Sequence, residues 1–347
     1  MKKQKINSEI KDQSTSTSNV DNPENIVSDE KVEKPIQKSD KIEYKDPLLK
    51  SIDDSRLVFY KYYKITNIIK WVVTFFILGA IIAAYFVLSS IENGITWILV
   101  TTAIALALLA VYTILMNQLK KKKMDIYFTE FYNNSTKFVF DESHYSDVVN
   151  DPKEKIDSLD FIASNIYKDI ISVPSRNVTR FTFNNAQMMI CDCAGQIKTK
   201  KRIAPVFVGK MLISPNNYSE DNGIVIYYTC KKELALPPTN LDGVQKVFED
   251  KKIQIFTNND KYTKTLNKAV RDSMSKISMD DVLIDMTISI QKGKTFVAMG
   301  YDDSLMIIPF ENQFKPNSLM SFKSQLVCVA EIVSLLSAKG RGENVEK

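Results

Sequence analysis

Histidine and glycine are the scarce residues in this chain, and each shortage removes a class of chemistry. One histidine, His144, occurs in 347 residues. A zinc site of the H-E-x-x-H kind needs two, a helical turn apart, and is excluded. The ten glycines nowhere cluster as G-x-G-x-x-G or G-x-x-x-x-G-K-[ST], so no backbone cradle for a phosphate is expected. The four cysteines, Cys191, Cys193, Cys230 and Cys328, show no framework spacing, and a cytosolic domain would keep them reduced. No apolar run follows the basic start, so no cleavable signal peptide is expected. The formal net charge is only +5, much of it in lysines beside apolar stretches, and implies no nucleic-acid partner.

Two long stretches lack charge altogether. Trp71 to Leu88 and Ile95 to Met116 contain no Asp, Glu, Lys, Arg or His. Each is long enough to cross a hydrocarbon core of about 30 Å as a helix rising about 1.5 Å per residue. The first holds eleven Leu, Ile, Phe and Val, each favouring insertion by roughly 0.3–0.6 kcal/mol. Arg56, Lys61, Lys64 and Lys70 precede the pair and Lys120, Lys121, Lys122 and Lys123 follow it, whereas the turn from Ser89 to Gly94 has one acid and no base. Basic flanks stay cytoplasmic, so a cell-membrane hairpin with both chain termini in the cytosol is expected. Lys120 to Lys123 are placed at lipid headgroups as topology determinants. With no ionisable group inside either span, a pore or pump pathway is not expected. Gly79 with Ala83, Ala80 with Ala84, and Ala103 with Ala107 have the spacing that lets two helices approach closely, and packing of the two spans on each other is the simplest use.

The expected layout is a disordered cytoplasmic tail over 1–50 with ten Lys and ten acids, a juxtamembrane helix over 51–70, spans over 71–90 and 95–116, and a turn over 91–94. A cytoplasmic α+β domain over 117–338 and a short tail over 339–347 complete it. The domain is read as a mostly antiparallel sheet with flanking helices. Asp151-Pro152-Lys153-Glu154 has the form of a helix start, with Ile156, Leu159, Ile162, Ile166 and Ile170 on one face. Strands are expected at Gln187–Cys193, Pro205–Ile213, Ile224–Cys230 and Lys252–Thr257. A hairpin is expected from Met286–Ile290 and Thr295–Met299, followed by a short strand from Leu305 to Ile308. Asn258-Asn259-Asp260 should cap a helix carrying Tyr262, Leu266, Val270, Met274 and Ile277 on one stripe.

The last element is a long helix from Ser318 to Ala338. Its Leu319, Phe322, Leu326, Val329, Val333 and Leu336 step by 3, 4, 3, 4, 3, a heptad-type seam. Such a seam either packs on the chain's own sheet or pairs with a helix of a protein partner, which makes it the candidate interaction surface. Cys191 and Cys193 lie two apart on a strand and so share a face. They are either buried strand cysteines or, with Cys230, the start of a metal or redox site. His144 beside Asp141 and Glu142 is either an exposed loop residue or a base. No catalytic constellation emerges, and no cofactor is expected. The leading expectation is a membrane protein displaying its domain for protein or lipid-proximal interaction; the alternative is a membrane-tethered enzyme using scattered acids or the cysteine pair.

Element order carries a resemblance. Two spans precede an α+β domain containing Val206-Phe207-Val208-Gly209-Lys210-Met211-Leu212, the segment Ile255-Phe256-Thr257-Asn258-Asn259-Asp260, and the strand pair Met286–Ile290 and Thr295–Met299. Over roughly residues 55 to 335 this resembles the bacterial two-span membrane family known as domain of unknown function 3137. The resemblance implies a membrane protein without assigned activity and supplies no catalytic residues.

Overall fold

Two very long helices open the fold because nothing in either sequence interrupts them. In the computed structural model, which describes residues 44, 46–200, 202–218, 223–229, 243–249, 253–258, 268–277, 283–301, 314 and 316–339, α1 runs from Pro47 to Leu88 and α2 from Gly94 to Val139. The described residues fall in one unit, Glu43–Lys347. Asp46 caps α1 by accepting from the Leu48 amide at 2.8 Å, and Pro47 takes the first helical position, where a missing N–H costs nothing. The helix therefore begins earlier than the expected tail boundary at 50; the rest of the tail lies outside the described residues. The connection is tight because Asn93 takes φ 62° and Gly94 sits so close to Leu88 that a Cβ would stand 1.9 Å from its carbonyl oxygen.

Both helices are long and apolar enough to cross a membrane, with mean hydropathy 2.5 in their best windows. There they pack on each other, and Val73, Ile77, Ile81, Ala84 and Leu88 of α1 and Ile98, Ala105, Leu109 and Met116 of α2 are among the half-buried residues. Gly79, Ala83, Ala103 and Ala107 face outward, and a Cβ on Gly79 would meet nothing within 4 Å. Of the small residues expected at the contact, only Ala84 is turned inward; Gly79, Ala80, Ala83, Ala103 and Ala107 are not, and larger aliphatic side chains on a 3–4 spacing make up most of the inward stripe.

Beyond the apolar segments the helices stay paired. Leu49, Ile52, Arg56, Phe59 and Thr66 are buried on one stripe of α1, spaced 3, 4, 3 and 7, a short heptad seam. Phe59 stacks on Tyr127 with ring centres 4.9 Å apart. Arg56 is buried in this seam and bonds to Asp53 at 2.7 Å, and Asp53 also accepts from Tyr44. Leu57, Val58 and Ile65 lie on its exposed side.

The domain is a ten-stranded sheet. Its strands are β1 (Ser146–Asp151), β2 (Ile170–Ser172), β3 (Ser175–Phe183), β4 (Ala186–Lys198), β5 (Ile203–Pro215), β6 (Ile224–Thr229), β7 (Gln245–Glu249), β8 (Ile253–Thr257), β9 (Leu283–Gln291) and β10 (Lys294–Tyr301). The spatial order is β1-β3-β4-β5-β10-β9-β6-β8-β7, with β2 paired to β4, and the pairings are antiparallel. The expected strands and hairpin are present, and the sheet extends further at both edges. The expected strand at 305–308 and the start of the helix after Asn258 lie outside the described residues; that helix is seen as α4 (Lys268–Ser275), with Val270, Met274 and Ile277 buried. Gly209 explains the middle of the sheet: a Cβ there would stand 1.9 Å from the Met299 carbonyl oxygen, so β5 and β10 approach only because it has none.

Strand alternation divides the core in two. Met188, Ile190, Leu212, Val297 and Met299 join the ends of α1 and α2, α4 and the C-terminal α5 (Pro316–Lys339). Met189, Cys191, Cys193, Met211, Phe296 and Ala298 form the other layer under Phe161 and Ile166. No long helix opens at Asp151. Its carboxylate instead accepts from the amides of Lys153 and Glu154, ending β1 in a turn. Only a short α3 (Ser158–Ile162) follows, capped by Asp157. Asn165 and Asp169, at φ 53° and 59°, prevent its continuation.

α5 also has the length and hydropathy of a span, at 1.6, but half of that window is buried inside the domain. Leu319, Phe322, Leu326, Val329, Val333 and Leu336 are between 0% and 7% exposed, and α5 packs on α2, α4, β3 and β5. The seam is therefore internal packing and not a free surface for a partner helix. The 3–4 spacing describes any helix stripe against a flat neighbour, so spacing alone does not distinguish the two.

Candidate functional site

Where α2 ends on the sheet, the chain buries charge. β3 carries a bulge between Arg176 and Thr179, and within it Asn177 takes φ 57°, a conformation that asparagine tolerates better than most residues. The bulge turns Asn177 toward Asp192 on β4, donating to its Oδ2 at 3.3 Å. Asn150 on β1 donates to Asn177 Oδ1 at 2.9 Å and to Thr179 at 2.8 Å. Asp192 lies directly across from Lys210 on β5, whose Nζ donates to its Oδ1. A polar ladder thus crosses four strands, β1 to β5, with Asp192 wholly buried and Lys210 nearly so.

Helices close over this ladder. Tyr132 of α2 hydrogen-bonds to Asp192, and its phenol is pushed far up first by burial and then by the Asp192 charge, so its hydroxyl stays a donor. Arg176 stacks over Phe128 and Tyr132 of α2, at 5.3 and 5.4 Å. Lys210 lies 4.8 Å over Phe322 of α5. Lys323 of α5 reaches Asp141 at 2.9 Å, just after α2. Between helices and sheet is a cavity of about 50 Å³ lined by Tyr132, Ser135, Asn177, Thr179, Lys210 and Phe322 among others. Ser135 Oγ has no protein partner there. The space admits a few waters and is too small for a nucleotide or other organic cofactor.

What this cluster does chemically follows from its bonds. Lys210, Asn177 and Tyr132 donate to Asp192, taking three of the roughly four acceptor positions of its carboxyl group, and the group is wholly buried. It acts as a clamp. The C-terminal part of α2 is tied to the centre of one half of the sheet by a buried carboxyl group.

The residues singled out in the sequence are not brought together. Cys191 and Cys193 share a face as expected, but both are buried in the layer under Phe161. Burial, then the hydrogen bond and charge of Cys191, holds the Cys193 thiol well above its ordinary value, the opposite of what a nucleophile needs. Cys230 lies outside the described residues. Among the described residues no three His, Cys, Asp or Glu side chains are placed to hold a metal. His144 is exposed, and its Nδ1 lies 2.7 Å from Asp141 and 2.8 Å from Ser143. A catalytic triad uses opposite ring nitrogens for acid and nucleophile, so both partners on Nδ1 make a turn and not a relay. Of the four lysines after α2's apolar segment, Lys121, Lys122 and Lys123 are exposed. Lys120 instead turns inward, donating to Asn67 of α1 and lying 4.8 Å over the Tyr63 ring. It fastens the hairpin and is not free for a headgroup.

Asp192, Lys210, Asn177 and Tyr132 carry no motif, but one signal was present. A lone acid in the apolar run Met188 to Ala194 and a lone base in Val206 to Ile213 are costly unless they meet.

On the opposite face of the sheet, an open cleft of about 510 Å³ is lined by Val149, Met189, Ile213 and Pro215, with Arg180 and Lys294 at its rim. Both cations are already engaged, Arg180 by Glu154 at 2.6 Å and Lys294 by Asp160 at 2.5 Å.

No protein-family model matches the chain, and no curated protein does. The resemblance to domain of unknown function 3137 rests on the residues quoted for it. Among solved structures, the chain is similar to the crystal structure of the mycobacterial trehalose monomycolate transport factor A. The two are 11% identical with a TM-score of 0.33, and the match covers 57% of this chain and 94% of that one. At that score the likeness supports no conclusion about function.

Proposed function

We propose that α1 and α2 cross a membrane as a hairpin, with the sheet domain and both chain termini on the cytoplasmic side, and that the chain serves as a rigidly mounted interaction module. One observation carries this reading. The two helices leave their apolar segments and run unbroken into the hydrophobic core of the domain, where Phe59, Tyr127, Phe131 and Phe138 pack with the sheet. From Met116 to Phe138 is about 30 Å of helix at 1.5 Å per residue. A domain mounted this way is held at a set height and angle, which a flexible linker does not provide. The basic flanks and uncharged turn support the orientation.

With the α5 seam internal, the surface offered to a protein or lipid-proximal partner is the cleft of Val149, Met189 and Pro215. Val149 is 62% exposed there. Topology is the decisive test. A cysteine placed at Asn93 should react with an impermeant thiol reagent in intact cells, while one at the exposed Lys200 should react only after permeabilisation. Labelling of Lys200→Cys in intact cells would overturn the orientation.

A further inference from the structure

Directly below the apolar segments the two helices carry charge of one sign. Leu57 to Lys70 has three lysines and no acid, and Asn117 to Ile126 has four lysines and one acid, Asp125. Lys61, Lys64, Lys121, Lys122 and Lys123 are exposed, and Ile65, Ile68, Ile69 and Leu119 are exposed among them. Lys123 lies 6.0 Å over the Tyr62 ring of α1 but stays exposed, unlike Lys120. Exposed lysines favour a polyanion, but exposed aliphatics interleaved with them are poorly placed in water. The combination suits the glycerol and headgroup layer of a bilayer, where a lysine keeps its stem in apolar surroundings and its ammonium outside. The collar is also continuous with both apolar segments, so its occupant must be something the bilayer supplies at that depth.

We infer that Lys61, Lys64, Lys121, Lys122 and Lys123 form a collar that recruits anionic phospholipid headgroups from the leaflet on the domain side, whereas Lys120 belongs to the hairpin itself. This rests on the membrane-spanning reading. The division of labour comes from the structure alone, since in sequence the four consecutive lysines are equivalent. Each exposed lysine near an anionic surface contributes about fivefold in affinity, so removing three lowers it by at most roughly 100-fold.

The chain has two tryptophans, and Trp71 stands at the collar end of α1 with 64% of its surface exposed. Full-length protein carrying Trp97→Phe is reconstituted into phosphatidylcholine vesicles containing either brominated phosphatidylglycerol or brominated phosphatidylcholine. The brominated anionic lipid should quench Trp71 at a several-fold lower mole fraction than the zwitterionic one. High salt should erase the difference, and the combined change Lys121→Gln, Lys122→Gln and Lys123→Gln should reduce it sharply, leaving only the share of Lys61 and Lys64. Trp97, read in a Trp71→Phe protein, should show no preference. Lys120→Gln should keep the preference and lower the melting temperature. Equal quenching of Trp71 by the two lipids overturns the collar alone, as does a preference that the triple change leaves undiminished. A Lys120→Gln effect as large as the triple change overturns the division of labour. Quenching of neither tryptophan by either lipid overturns the spanning reading and the collar with it.

Discussion

Cutting the Asp192–Lys210 pair on one side should cost far more than cutting it on both. Asp192 is fully buried and Lys210 is 8% exposed, so neither charge is well solvated when alone. At an ion-pair separation of about 3 Å and an effective dielectric constant near 20, their attraction is about 5 kcal/mol. Lys210→Met leaves a buried carboxylate with only Asn177 and Tyr132 to hold it. Asp192→Leu leaves an ammonium against Phe322. Breaking a buried pair from one side costs about 3–5 kcal/mol, while replacing both partners by apolar side chains is often neutral. For a domain of this size 1 kcal/mol shifts the melting temperature by roughly 2–4 °C, so each single change should lower it by about 10 °C. The double change should recover most of that loss. The assay is thermal unfolding of the full-length chain in one detergent, followed by circular dichroism and by scattering. If the singles melt within about 2 °C of the parent, or if the double change loses the sum of the two, the pair is not the buried clamp described here. Tyr132→Phe is the companion variant, expected to cost about 1–3 kcal/mol as a hydrogen bond lost to a charged group.

Three further outcomes follow from the same coordinates. Gly209→Ala should destabilise the domain by more than about 2 kcal/mol, since its Cβ would meet backbone at 1.9 Å; a melting temperature equal to the parent's would contradict that close approach. In a chain lacking Cys230 and Cys328, maleimide should label Cys191 and Cys193 only after denaturation, because both are buried and the Cys193 thiol is raised; rapid native labelling would reopen the redox reading. Hydrogen bonds from Arg180 hold the Glu154 carboxyl below its ordinary value of 4.5. A lowered carboxyl contributes stability above that value and loses it as pH falls through the folded one. Both side chains are partly exposed, at 50% and 32%, so Glu154→Gln should cost under about 1 kcal/mol at neutral pH and nothing in acid. A melting-temperature difference between the two proteins that widens on acidification would show the sign to be wrong.

Much of the architecture is legible in the sequence because it rests on local patterns. Charge-free runs about as long as a hydrocarbon core is thick define the two long helices and their basic flanks. Apolar runs bounded by turn residues locate the central strands, and a 3–4 stripe marks α5. These signals survive because each depends on neighbours within about one turn or one pleat. Between Asp151 and Ile170 the same signals mislead. A capping acid followed by proline reads as a helix start, but Asp151 ends a strand, and what decides is the pairing of Asn150 with Thr179 across the sheet.

Everything that depends on which surfaces meet was left to the tertiary structure. Sequence alone determined that the chain has two long uncharged stretches and one mixed domain, with a single histidine and no glycine-rich phosphate motif. Only the folded chain decided that Lys120 turns in while Lys121 to Lys123 turn out, that Gly79 faces away from the hairpin, and that the α5 seam is used internally. It also decided that Asp192 and Lys210, 18 positions apart, meet under Tyr132. The physical reason is the same in each case. Periodicity tells which side chains share a face, but the cost of burying a charge or exposing a seam is set by what lies opposite, and that partner comes from elsewhere in the chain.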